Sequence, residues 1–273
     1  MGSNHVLLAF GLTLLAGMAT GIGSLIALLS RKVSYRVLSA ALGFSAGFMI
    51  YVSFVEILAE ARLDLVAFLG QSRGSWVTII AFFSGMALIA VIDRLVPEVE
   101  NPHEARRIEQ MNLSPDQAKA HENGKLMRIG FMSALAIAIH NFPEGIATFT
   151  AAVKSPRLGI AIAIAIAIHN IPEGIAVSIP VYFATGSRKK AFRLSALSGF
   201  SEPLGAVIGF LVLMPIMNAL TMGIMFALIA GIMVYISLDE LLPTAREYGS
   251  SHLAIYGLIA GMAIMAVSVQ LFK

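Results

Sequence analysis

Residues 129–184 read IGFMSALAIAIHNFPEGIATFTAAVKSPRLGIAIAIAIAIHNIPEGIAVSIPVYFA, two apolar runs at 129–153 and 158–184 that each enclose one copy of an octapeptide. The copies are His140-Asn-Phe-Pro-Glu-Gly-Ile-Ala147 and His169-Asn-Ile-Pro-Glu-Gly-Ile-Ala176. About 20 predominantly apolar residues cross a bilayer as a helix, so both runs are long enough to span. Isoleucine and alanine alternate from Gly159 to Ile168 with a strand's period. Alanine is apolar too, however, and lone strands leave backbone groups unsatisfied in lipid, so helix is the reading. An ionisable side chain at bilayer depth costs about 2.5 to 3.5 kcal/mol on insertion scales. An imidazole and a carboxylate placed there twice imply a use that outweighs this cost, and a metal cation is the simplest.

Composition agrees with that class. The chain is 58% hydrophobic and 13% charged, with a mean hydropathy of +0.82, far above a soluble globular protein. Further apolar runs at 6–29, 38–59, 76–95, 192–214, 219–243 and 253–272 bring the expected spans to eight, an all-α integral membrane protein. The first run lacks a basic flank and is too long for a signal-peptide core, so it is read as a span that stays in the chain. A net charge of +3 does not imply nucleic acid, because the basic residues sit in short connections between spans. With no cysteine, thiolate metal sites and disulfides are excluded.

Alternate connections carry 14 and 5 of the lysines and arginines, which places the richer set in the cytoplasm and both termini outside. The connection 96–128 is polar, contains Pro97, Pro102 and Pro115, and reads as a mobile cytoplasmic loop. Its His103 and His121 read as solvated side chains rather than metal ligands.

A second repeat lies outside the octapeptides. Residues 46–62, AGFMIYVSFVEILAEAR, align without gaps to 230–246, AGIMVYISLDELLPTAR, with nine of seventeen positions identical. Gly85-Met-Ala and Ala90-Val likewise match Gly261-Met-Ala and Ala266-Val. Shared Tyr, Ser, Glu and Arg in register are poorly explained by chance similarity of two apolar helices. By the charge count the two units run in opposite directions, as in many secondary transporters. Spans four and five lie between them.

On a helix His140 and Glu144 share one face roughly 6 Å apart, as do His169 and Glu173, so two antiparallel helices can close a four-ligand cage near the bilayer midplane. Pro143 and Pro172 remove backbone donors and are expected to kink or loosen each helix. Imidazole and carboxylate without thiolate suit Zn²⁺, Fe²⁺, Co²⁺ and Mn²⁺ (and the zinc-like Cd²⁺) as bound and transported ions, with no separate cofactor. The Irving–Williams order prevents these residues alone from making a zinc-only site. Asn141 and Asn170 offer amide oxygens on an adjacent face to a second ion. Glu56, with Asp239 and Glu240, occupies matching places in the second repeat, near the outer end of span two and the inner end of span seven. Symmetry thus offers one carboxylate group to the way in and one to the way out.

These residues resemble the ZIP (Zrt/Irt-like) family of divalent metal transporters, in its bacterial zinc-uptake, ZupT-type branch. The paired His-Asn-x-Pro-Glu-Gly motifs carry the resemblance, with Asp239-Glu-Leu241 and the variable loop before span four, and it covers essentially the whole chain. It implies a 3+2+3 helix arrangement with inverted outer repeats as one transporter domain: repeat one at about 6–95, metal-site helices at 129–184 and repeat two at about 192–272. It further implies a first metal on His140, Glu144, His169 and Glu173, and a second involving Asn141, Asn170 and Glu202. Inward transport across the plasma membrane, here a bacterial inner membrane, is implied by the resemblance alone. The loop departs from many relatives in lacking a dense histidine cluster. Partners are then divalent ions and lipid, and a homodimer is one admissible assembly. The rival is an intramembrane metalloenzyme, but a protease needs His-Glu-x-x-His, which the chain lacks, and a di-iron oxidase needs a pair of Glu-x-x-His motifs, of which the chain has one, Glu100 to His103 in the polar connection. No catalytic residue is expected.

Overall fold

The computed structural model describes residues 3–29, 34–95 and 115–272, and these are helical almost throughout. The helices are α1 (Ser3–Leu29), α2 (Tyr35–Val52), α3 (Leu58–Leu69), α4 (Gln71–Leu95), α5 (Pro115–Lys154), α6 (Pro156–Thr185), α7 (Arg188–Gly199), α8 (Ser201–Ile208), α9 (Ala219–Ile236), α10 (Leu242–Tyr248) and α11 (Ser251–Phe272). Among the described residues, seven helical runs are long and apolar enough to cross a membrane. The expected fourth span, 129–153, lies in α5 and is not among those seven.

The polarity of the fold is inverted relative to a soluble protein. Leu7, Leu15, Trp76, Phe83 and Val267 are exposed, whereas the site histidines, asparagines and glutamates are buried. Apolar residues facing outward over helices with internally satisfied backbones is the arrangement a lipid solvent demands.

Two expected boundaries change. Residues 115–128, read as loop, begin α5 instead. Proline is pre-organised for the first helical turn, and Gln117, Ala118, Lys119 and Ala120 are good helix formers, so polarity alone misled. His121 therefore lies on a helix, while His103 falls outside the described residues. Spans two and seven also continue past their expected ends. A π turn at Ser53–Ile57 joins α2 to α3, and a second at Ser237–Leu241 joins α9 to α10. Glu56 and Glu240 thus sit inside long helical runs rather than near their ends. Glu60, Arg62 and Asp64 lowered the hydropathy there without breaking the helix. The run from α2 to α3 ends at Gly70, whose φ of 82° suits glycine and turns the chain into α4.

Helices α5 and α6 continue as helix through Pro143 and Pro172, so whatever loosening the missing donors bring does not end either element. One helical run is interrupted at Phe200, where Pro203 withholds the donor that would bond the Gly199 carbonyl. That break separates α7 from α8 and puts Glu202 in the first turn of α8.

Helices α1, α5, α6, α7 and α8 pack on one another, and so do α2, α3, α4, α9, α10 and α11. The groups meet mainly where α2 lies on α6 and α9 on α5. Within the second group one crossing is made twice. Gly47 faces the Leu258 carbonyl while Gly261 faces that of Phe44, and Gly231 faces the Phe82 carbonyl while Gly85 faces that of Leu228. Each pair lets the backbones of α2 and α11, or of α9 and α4, approach closely. At the end of α5, Lys154 donates to Glu60 at 2.6 Å and to both Asp64 oxygens at 2.6 and 2.7 Å, tying the two groups together. Burial disfavours its ammonium, but these two carboxylates outweigh that and leave its pKa raised.

Candidate metal centre

Helices α5 and α6 form a hairpin through Ser155, whose side chain accepts from the Leu158 amide at 3.4 Å while Pro156 opens α6. His140 and His169 each lie about four turns from Ser155, so the hairpin brings them to one level. Their rings are 6.4 Å apart at 76°. His140 Nε2 is 3.5 Å from Glu144 Oε1 and 3.4 Å from Glu173 Oε1, and His169 Nε2 is 3.2 Å from Glu144 Oε1. Candidate ligand atoms of His140, His169 and Glu173 all lie within 4.8 Å of one another. The sequence placed these four residues on facing helices, and the structure brings them together.

Asn141 and Asn170 lie one residue along, on the side facing α1, α7 and α8. Asn141 Nδ2 donates to the Ser198 carbonyl at 3.3 Å, and Asn170 Nδ2 donates to the Ala16 carbonyl at 3.1 Å and to Glu202 Oε1. These bonds hold the amide nitrogens outward. Asn141 Oδ1, Asn170 Oδ1, Glu144 Oε2, Glu173 Oε2 and Glu202 Oε2 are buried and have no hydrogen-bond partner among the described residues. Buried polar atoms are nearly always paired, because an unmet acceptor costs about 1–3 kcal/mol. Five unmet oxygens beside two imidazoles fit a cluster designed to receive cations.

Ser45 is a contributor that the sequence reading missed. Its hydroxyl lies 3.1 Å from the His169 carbonyl and 3.3 Å from Glu173 Oε1, fixing that carboxylate from α2. Its only sequence signal is its place between Gly43 and Gly47, which pack against α11 and leave the small Ser45 to face α6. Phe48 packs 6.2 Å from the His169 ring.

The remaining carboxylates stand apart. Glu56 is half-buried and lines a cavity of about 330 Å³ with Glu60, Arg157, Ile162 and Met265. Glu240 is half-buried, whereas Asp239 is exposed. The π turns carrying Glu56 and Glu240 fall at matching places in the two aligned segments.

Fold and site together define a polytopic α-helical membrane protein built round a buried intramembrane cluster of histidine, carboxylate and amide groups. Residues 96–268 match the family described as ZIP Zinc transporter. Similar proteins named zinc transporter ZupT occur in Clostridium perfringens (57% identical, covering 98% of this chain and 97% of that one) and Oceanobacillus iheyensis (58%, covering 98% and 99%). Another, from Streptococcus mutans, is 57% identical and covers 99% of both chains. The chain belongs to the ZIP zinc transporter family. It is therefore a transporter and not an enzyme, which removes the metalloenzyme reading.

Proposed function

We propose that this chain carries divalent transition-metal ions, zinc first, from outside into the cytoplasm through the centre between α5 and α6. The observation that carries the reading is the convergence of His140, Glu144, His169 and Glu173 with unmet oxygens in the buried core. The first ion is held by those four residues. A second is held by Asn141, Asn170 and Glu202, with the unpaired oxygens of Glu144 and Glu173 available to both. Imidazole with carboxylate favours zinc, in keeping with the relatives' names, and also accepts Fe²⁺, Co²⁺, Mn²⁺ or Cd²⁺.

The architecture we propose is eight spans in a 3+2+3 order, with α5 as the fourth and inverted repeats on either side. The twice-made glycine crossing and the paired π turns support it. The basic connections put both termini outside a bacterial inner membrane. In this frame Glu56 meets the ion on its way in and Glu240, assisted by Asp239, on its way out. Glu56→Gln is expected to raise the apparent KM for outside metal, and Asp239→Asn/Glu240→Gln to lower kcat, both read from initial uptake rates. Wild-type kinetics in both variants would make the matched carboxylates structural only.

The direct test is zinc binding to the purified protein as a function of pH. Metal requires neutral imidazole and ionised carboxylate, so affinity should fall as pH drops toward the ordinary imidazole pKa of about 6.5. Binding that tightens in acid contradicts a His/Glu centre.

A further inference from the structure

The contacts around the octapeptides recur in a second register that the sequence does not display. Asn141 bonds the Ser198 carbonyl as Asn170 bonds that of Ala16. Gly145 faces the Glu202 carbonyl as Gly174 faces that of Thr20. Gly205 faces the Phe142 carbonyl as Gly23 faces that of Ile171. Gly17 and Gly199 each face the other's carbonyl, with the Cβ atoms of Glu202 and Thr20 beside them in turn. All four relations pair α1 with α7 and α8 at one constant spacing, and all four pair Thr20 with Glu202. Glu202 stands beside Asn170, and the same correspondence assigns Thr20 to the place beside Asn141.

Thr20 is fully buried, and its Oγ1 has no hydrogen-bond partner among the described residues. Thr13, Thr78, Thr150 and Thr185 satisfy themselves on the preceding turn, as Thr13 does on the Ala9 carbonyl at 2.7 Å, whereas Thr148 on α5 shares the unmet state of Thr20. Thr20 does not do so, and the Ala16 carbonyl is engaged by Asn170. The hydroxyl is left unmet at the position where the other half of the molecule presents a carboxylate.

We propose that Thr20 is the neutral counterpart of Glu202: an affinity-setting residue whose hydroxyl joins Asn141 Oδ1 in the oxygen shell of the divalent ion. The inference rests on the two-ion reading above. Glu144, Glu173 and Glu202 supply three negative charges, and a carboxylate at position 20 would supply a fourth. Ligand charge count sets how tightly an oxygen site holds a divalent ion. Threonine therefore keeps an oxygen at this place while leaving the ion free to depart.

The test is initial-rate uptake of zinc-65 by proteoliposomes, together with equilibrium zinc binding. Thr20→Ser should match the wild type within about twofold, while Thr20→Val, nearly isosteric, should raise KM roughly threefold to tenfold through loss of one oxygen. Thr20→Glu should lower KM and kcat together, each by about tenfold, because binding tightens and release slows. Thr20→Glu/Glu202→Thr should recover zinc affinity lost in Glu202→Thr. Wild-type KM and kcat in both Thr20→Val and Thr20→Glu, with no recovery in the exchanged pair, overturn the proposal. Glu144→Ala separates the two levels: uptake surviving in that variant sinks the metal centre itself, whereas silent Thr20 variants beside an inactive Glu144→Ala sink only this inference.

Discussion

Glu144→Ala and Glu173→Ala are each expected to lose uptake by roughly 100-fold or more while remaining inserted and monodisperse. Loss of groups that merely orient a metal's ligands costs about 10- to 100-fold, and these carboxylates are proposed to touch the ion directly. Both are fully buried, and each faces a histidine of the opposite helix at 3.2–3.4 Å. Removing a buried charge also lowers the cost of insertion, so the loss should be one of activity rather than of folding. Glu144→Gln, which keeps the shape and deletes the charge, should be nearly as inactive. Zinc uptake by vesicles, normalised to inserted protein, checks all three variants. Normal transport by either alanine variant removes that carboxylate from the centre.

Gly174→Leu should abolish uptake by a different route. A Cβ at Gly174 runs into the Thr20 carbonyl, so α1 must move away from α6 at the level of the site. Backbone cannot yield as a flexible side chain can, and overpacking of this kind costs about 1–3 kcal/mol. A Cβ at Gly11 on the same α1 helix meets nothing within 4 Å, so Gly11→Leu should not cost thermal stability or uptake. Thermal unfolding in detergent separates the two glycines. Equal stability of both variants would show that the α1–α6 crossing tolerates a wider spacing.

The centre was legible because its chemistry is local. His and Glu four apart, written twice in apolar runs of equal reach from one turn, determine a facing pair of helices without further information. The packing was legible in part. Matching segments around Glu56 and Glu240 disclosed a repeated unit, but the correspondence of α1 with α7 and α8 is carried by backbone carbonyls and glycines. Thr20 and Glu202 share no side-chain chemistry, so no alignment of residue types pairs them. The hydropathy pattern also ended α3 and α10 too early and missed the start of α5 at Pro115. Helix continues through charged residues wherever the backbone bonds are intact, and apolar composition reports the lipid boundary rather than the helix boundary. Proline at 143 and 172 was expected to loosen the site helices. Irregular turns fall beside Glu56 and Glu240, after Gly199 and at Gly209–Leu213, in the helices that pack around the hairpin.

The central claim is that a divalent ion crosses the membrane by way of the cluster between α5 and α6. It is tested most directly by zinc-65 influx into metal-free proteoliposomes containing the wild type or a Glu144→Ala/Glu173→Ala double variant reconstituted to equal density. The account predicts saturable influx for the wild type and none above empty vesicles for the double variant. Equal influx through both proteins would contradict it.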